Sequence, residues 1–263
     1  MRMELIGLKS RLIRPGDDVL EVLEGALERE GAALEDGDVL VVSECALATA
    51  MGRVVHLQDV KVGRRAMELG RRYCISPELM QLILEHSKMV LGGIEGYVLT
   101  LRDGFLCPNA GIDSSNAPDG CVVLPLDDPH AEARSLREGV GKRMGVRIGV
   151  VISDSRTHPL RLGCVGIAVG VSGFRGIVDA RGQCDLFGKK LAITRKALAD
   201  NIASAAQLLM GEGDEGVPFV IVRGTGIEIG DIEEGIETIA PQECLYFGSL
   251  YFGSISPSEL ELP

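Results

Sequence analysis

Three acidic residues of this chain sit among small polar neighbours rather than on charged faces: Asp113, Asp154 and Glu212. Asp113 follows Asn109, Gly111 and Ile112 and precedes Ser114, Ser115 and Asn116. Asp154 lies between Ser153 and Ser155, and Glu212 lies between Gly211 and Gly213, just after Met210. A carboxylate on a turn beside a rigid element is a hard oxygen ligand, the kind a divalent cation requires, and such cations commonly hold phosphates. Two carboxylates brought within ~4 Å repel by on the order of 4 kcal/mol at an effective dielectric of ~20. If these acids meet, a cation or a raised pKa has to compensate.

The segment after Asp154 adds the partners such chemistry uses. The Ser155 hydroxyl can ligate the same or a neighbouring cation, and Arg156 or Arg161 can neutralise a phosphate. The same residues also suit an Asx or ST turn that ends a strand, and the Asp113 loop reads equally well as a plain turn. Glu212, with Asp214 and Glu215, follows the end of a long helical pattern, where negative charge is unfavourable by ~0.3–1 kcal/mol per group and a bound cation reverses the sign. His158, between Thr157 and Pro159, suits a structural or phosphate-contacting role as well as a general base. His56, His86 and His130 have no metal-like spacing.

Other phosphate and metal signatures are absent. The chain has no Walker A loop, no zinc-ligand spacing and no nucleophile elbow, so a nucleotide bound here would depend on cations. Gly224, Gly226 and Gly230 follow a strand pattern but with the wrong spacing for a dinucleotide loop, and Asp231, Glu233 and Glu234 come next.

Composition bounds the remaining classes. The 263 residues are 46% hydrophobic and 25% charged, with 34 glycines and no Trp, as expected of a globular protein with a backbone-rich, turn-rich site. A net charge of −11, from 27 Lys and Arg against 38 Asp and Glu, argues against a sequence-blind grip on nucleic acid. The basic run from Arg64 to Arg72 has helical spacing and reads as a solvated face. Seven cysteines occur singly, and the apolar neighbours of Cys107, Cys121 and Cys164 predict reduced, mostly buried thiols. No apolar stretch long enough for a bilayer and no leader-like opening are present, so the expectation is a cytoplasmic protein without a membrane partner.

The elements that must position these residues follow from periodicity. Strands are predicted at residues 3–8, 39–42, 89–91, 97–101, 105–107, 121–124, 146–152, 164–171 and 218–222. Helices are predicted from Asp18, over 62–72 and 77–86, from Pro129 to Met144, and over 195–210. Asp154 is placed directly beyond the C-terminal end of the 146–152 strand. Strict strand–helix alternation is missing, so the fold class is α+β. From about Asp231 the pattern weakens, and the near-repeat from Leu245 to Ser254 suits a strand pair or a sticky tail. The organisation expected is a catalytic region over 1–232 followed by a tail over 233–263.

In order and spacing, these motifs resemble the coenzyme F420-0:L-glutamate ligases. The resemblance rests on Asn109 to Asn116; Ser153, Asp154 and Ser155 with Arg161 and Gly163; Asp185 to Thr194; Ala199 and Asp200; Ala203 to Ala206; and Leu208 to Glu212, and it spans residues 3–224. It implies an α+β chain of two interwoven lobes that forms a homodimer. It also implies a GTP-dependent ligase that adds γ-linked L-glutamate to the F420 precursor through an acyl phosphate. By the same resemblance Asp113 and Asp154 hold one divalent ion, Ser155 and Glu212 a second, with Mg²⁺ or Mn²⁺ as the metals and K⁺ a further candidate. Nucleotide contacts are implied at Ser10, Arg11, Leu12 and Ile13, at Asn116, and along Met210, Gly211, Gly213, Asp214, Glu215, Gly216 and Val217.

The chain departs from that pattern after residues 39–43. There the family has small polar residues and a nucleotide-contacting lysine, whereas this sequence has Glu44, Cys45 and Thr49. Residues 155–161 also differ from the common form, which carries glycine and arginine directly before the proline. A sister ligase with another acid acceptor or nucleotide, and a non-catalytic nucleotide-binding paralogue, are the alternatives these departures raise.

Overall fold

The structure, a computed structural model, describes residues 2–252. Its central element is a five-stranded mixed sheet in the order β1 (Glu4–Leu8), β12 (Phe219–Arg223), β2 (Val39–Ser43), β8 (Gly149–Thr157) and β9 (Cys164–Ser172). β2 and β8 run parallel, and every other pair in the sheet is antiparallel. The β-branched run of β2 is buried on both faces. Leu40 and Val42 join a core with α1 (Val19–Glu30) and α5 (Pro129–Met144), while Val39 and Val41 join a second core beneath α6 (Leu198–Met210). This two-sided burial explains why the run reads as continuous rather than alternating.

Local signals set the helix ends. Asp18 caps α1 by accepting from the Leu20 N–H at 2.8 Å, and Gly31 ends it in the left-handed region. Asp128 caps α5, with Pro129 in its first turn. α6 is tied to β9 through Asp200, which accepts the Ala168 N–H at 3.1 Å, and Ser204, which donates to the Gly166 carbonyl at 2.7 Å. A Cβ at Gly166 would lie 2.4 Å from the Ala203 carbonyl oxygen, so this helix rests on bare backbone.

A third, smaller core joins α3 (Arg64–Tyr73) and α4 (Pro77–Glu85) to the meander β4 (Met89–Ile94), β5 (Tyr97–Arg102) and β6 (Phe105–Pro108). Short pairs complete the chain: β3 (Val54–His56) with β7 (Cys121–Val123), and β10 (Ile177–Asp179) with β11 (Arg195–Ala197). The fold is α+β, as the pattern predicts.

Four expectations need correction. The strand carrying Asp154 continues through Thr157, because β9 pairs with it as far as the Thr157–Cys164 register; Asp154 therefore lies within a strand, not beyond its end. That extension is a two-stranded ribbon outside the core, so Cys164 is exposed; Cys121, on the separate β3–β7 pair, is half-buried, leaving Cys107 as the one fully buried thiol among seven free cysteines. Residues 195–197 pair with β10 before α6 begins. The aromatic near-repeat forms a helix, α7 (Leu245–Phe252), rather than a strand pair. Gly248 lets this helix pack on the preceding turn, where a Cβ would lie 2.6 Å from the Gln242 carbonyl oxygen. The last two residues of the repeat and the remainder of the tail to 263 lie outside the described residues.

Candidate active site

The register partners Ser43 and Ser153 stand at the C-terminal end of the parallel β2–β8 pair. The next residues, Glu44 and Asp154, therefore emerge beside each other, where ligands commonly bind in sheets with parallel strands. Glu44 opens α2 (Glu44–Ala50), a helix that the sequence reading had not delineated, although Ser43 caps it by accepting the Ala46 N–H. Glu44 is 5% exposed, and its carboxylate accepts the Leu126 N–H at 3.0 Å.

Electrostatics bind the cluster together. Burial first and then the Asp154 charge push Glu44 up to about 7, against the Leu126 N–H, Arg102 and Arg156. Burial also raises Asp154, with Asp113 adding to the shift and Arg156 opposing it. The Cys45 thiol is pushed up by burial, by the charge of Asp113 and by its hydrogen bond to Asp113. Asp113 is fixed in turn by its own loop, where its carboxylate accepts from the Ser115 N–H at 2.8 Å and the Ser115 hydroxyl at 2.6 Å. Its backbone bridges Val123 in both directions.

Arg156 is the cation of this cluster. It donates to Asp154 at 3.1 Å, and its guanidinium lies 5.6 Å from the centre of the Phe105 ring. Next to Asp154, the buried Ser153 hydroxyl has no hydrogen-bond partner among the described residues. Asp113 and Asp154 repel each other, and carboxylate oxygens are the ligands a hard cation takes.

The second half of the predicted site forms another group. Ser10 donates its N–H to the Gly216 carbonyl at 3.0 Å, which joins the Ser10–Ile13 segment to the loop after α6. In that loop Glu212 accepts from Gln207 at 2.7 Å, and Glu215 folds back to accept the Gly213 N–H at 2.8 Å. Arg11 is held by Asp17 at 2.6 Å, Leu12 is exposed and Ile13 packs on the main core. Ser155 follows Asp154 on β8 and is half-buried, and its N–H favours the ionised form of Asp154. Among the described residues no group of three or more His, Cys, Asp or Glu is arranged to hold a metal. Asp113 and Asp154 interact, with Glu44 as the third member of their cluster.

Asn116, with φ of 52°, is exposed on the Asp113 loop, and Thr49 lies near the end of α2. Arg161 is exposed at the β8–β9 turn, where its N–H donates to the His158 carbonyl. His158 donates from Nδ1 to the Pro159 carbonyl at 3.0 Å and meets the Tyr246 hydroxyl of α7 through Nε2, which favours the structural reading of this histidine.

Sequence reasoning missed a cavity of about 290 Å³ beside the cluster, with Glu44, Arg102, Phe105, His130 and Arg156 in its wall. Ile236 and Thr238 close another side, because Glu233 binds Arg134, Arg137 and Ser172 and so holds this stretch against the body. Arg102 ends β5, and its relation to Glu44 depends on how the meander docks, for which the sequence carries no local signal.

Mutually repelling carboxylates at the end of a parallel strand pair mark the candidate site of this α+β fold. Comparison with known proteins gives the family. The model of the F420-0:Gamma-glutamyl ligase family matches residues 7–224, and the chain belongs to that family. Among its relatives, a coenzyme F420:L-glutamate ligase of Methanopyrus kandleri is 39% identical over 89% of this chain and 90% of its own length. Proteins of the same name from Methanothermobacter thermautotrophicus and Archaeoglobus fulgidus are 39% and 38% identical, over 85% and 89% of this chain and 90% and 93% of theirs.

Proposed function

We propose that this protein is a GTP- and divalent-metal-dependent ligase that adds L-glutamate, by a γ-linked amide, to the F420 precursor. The observation that carries the reading is the Asp113, Asp154 and Glu44 cluster with Arg156, in a chain whose family consists of glutamyl ligases.

The reaction has two steps. A carboxylate oxygen of the acceptor attacks the γ-phosphorus of GTP; an O–P bond forms, the bridge to the β-phosphate breaks, and GDP leaves. The amine of glutamate then attacks the acyl carbon, a C–N bond forms, phosphate leaves with the C–O electron pair, and the nitrogen gives up its proton. Asp113 and Asp154 would hold one cation, with Ser155 and Glu212 assigned to a second by resemblance. Mg²⁺ or Mn²⁺ bound there, or K⁺ at a further position, would supply charge neutralisation for phosphoryl transfer. Arg156 presents positive charge next to Asp154, and Arg161 on the turn is a further contact for phosphate. The contact between Ser10 and Gly216 supports placing residues 10–13 and 210–217, with Asn116, on one nucleotide surface. An acyl phosphate is readily hydrolysed, and the half-buried position of Asp154 limits water around it.

The test is to incubate the purified protein with the F420 precursor, L-glutamate, GTP and Mg²⁺ or Mn²⁺, following glutamylated product by mass spectrometry and GDP by chromatography. No product and no GDP, under conditions where an active relative turns over, would refute the reading.

A second reading is a sister ligase for a different carboxylate acceptor or nucleotide. Glu44 and Cys45 favour it, since both stand inside the cluster where the family pattern has small polar residues and a nearby lysine. Nucleotide turnover with another acid but none with the F420 precursor would select it. For assembly, a homodimer is supported by the exposure of Leu160, Leu162, Leu186 and Phe187, and sedimentation of the intact protein tests it. No helix among the described residues is long and apolar enough to cross a membrane; a cytoplasmic location accords with the reaction proposed.

A further inference from the structure

The cavity beside the carboxylate cluster brings Glu44 and Arg156 of that cluster to one wall with Arg102, which lies outside it. Among its acidic wall residues, Asp127 is occupied by Arg53 at 2.6 and 2.7 Å, Asp128 caps α5, and Asp103 pairs with Arg102 at 3.2 Å. Glu44 differs. It is 5% exposed, accepts a single described hydrogen bond, from the Leu126 N–H, and forms part of the wall.

Two guanidiniums share that wall with donors to spare. Arg156 uses Nε for Asp154 and Nη1 for the Leu106 carbonyl, leaving Nη2. Arg102 donates from Nη2 to the Leu126 carbonyl and pairs through Nε with Asp103, leaving Nη1. Each guanidinium carries five N–H donors in a fork matched to a carboxylate. At about 290 Å³ the cavity lies at the lower edge of the ~300–1,000 Å³ typical for drug-sized ligands. That volume accommodates an amino acid.

We infer that this cavity holds free L-glutamate, with its ammonium on Glu44 and its carboxylates on Arg102 and Arg156. The inference rests on the ligase reading for the choice of amino acid. Arg156 joins the two regions, because it contacts Asp154 and also lines the cavity. An amine on Glu44 therefore stands next to the cluster where the acyl phosphate is placed. Glu44, absent from the family pattern at this position, becomes a binding residue for the incoming amine, and Thr238 becomes part of the rim.

Calorimetry on the full-length protein tests this with two probes, L-glutamate and glutarate, which lacks only the amine. The expected result is that L-glutamate binds at least about tenfold more tightly, the size of one charge-assisted hydrogen bond. Glu44→Gln removes that preference and leaves glutarate binding unchanged. Because Glu44 is buried and its substitution can disturb folding, Thr238→Trp serves as a second variant at an exposed rim position; it raises the KM for L-glutamate and leaves the KM for GTP unchanged. Equal binding of the two probes by the unsubstituted protein overturns the inference. Product formation with the KM for L-glutamate unchanged in both variants also overturns it, while leaving the ligase reading intact. Selective binding of L-glutamate without product in the ligase assay refutes the ligase reading and leaves the amino-acid cavity standing.

Discussion

Glu44 and Asp154 are neighbours because Ser43 and Ser153 are register partners in the one parallel strand pair of the main sheet. They are 110 positions apart in the chain, yet each raises the cost of ionising the other. The sheet thus holds two acids where burial and like charge both oppose ionisation.

The first prediction concerns pH and stability in the metal-free protein. Glu44 has a folded pKa of about 7 against an ordinary value of 4.5, so between these values the folded chain binds more protons than the unfolded chain. Stability contributed by the protonated group is fully present below about 4.5 and is lost as pH rises to about 7, by at most about 3 kcal/mol. Urea melts across this range should show the fall in the unsubstituted protein and a flatter profile in Glu44→Gln.

Asp154→Asn should separate stability from turnover. It removes a half-buried carboxylate that repels Glu44 and Asp113, so thermal stability in chelator stays level or rises. Glutamylated product should fall by at least about 100-fold, the scale expected when electrostatic stabilisation is removed from a reacting centre. Mass spectrometry of product, paired with melting curves, checks both halves.

At the opposite end of β2 the consequence reverses. Asp38 is 1% exposed and receives two hydrogen bonds from Arg223, at 2.9 and 2.8 Å. Arg223→Ala leaves a buried carboxylate without its cation, at a cost of about 3–5 kcal/mol in denaturant melts. Turnover per folded molecule should be preserved, since this pair lies at the far end of the strand from Glu44.

Gly166→Ala should loosen α6 from the sheet. The new Cβ would sit 2.4 Å from the Ala203 carbonyl oxygen, which is backbone and cannot swing aside as a side chain can. A loss of about 1–3 kcal/mol is expected, with faster amide exchange along α6 as the local readout.

Much of this architecture can be read from the chain because its causes are local. Asp18 and Asp128 signal helix starts, and the β-branched runs at residues 39–42 and 219–222 signal buried strands. The acids Asp113 and Asp154 stand out by the Gly, Ser and Asn around them. The limits of the reading also have local causes. Hydrophobicity stops at Ile152, but hydrogen bonding to β9 continues, so the strand end was placed too early. Cysteines 121 and 164 have apolar neighbours but lie beyond the well-packed core. The Leu245 repeat has no alternation that could separate a helix from a strand pair, and contacts with the preceding turn decide for the helix.

By itself, the sequence determined the fold class and the family motifs, Asp113 and Asp154 among them, because residue type, capping and period act over a few positions. Tertiary structure alone decided which groups stand beside those acids. It brought in Glu44 through strand register, Arg102 through docking of the meander, and Thr238 through the ion pairs of Glu233. It also paired Glu212 with Gln207 in the loop after α6. Charge interactions depend on distance through space and on burial, and neither is recorded in the spacing of residues along the chain.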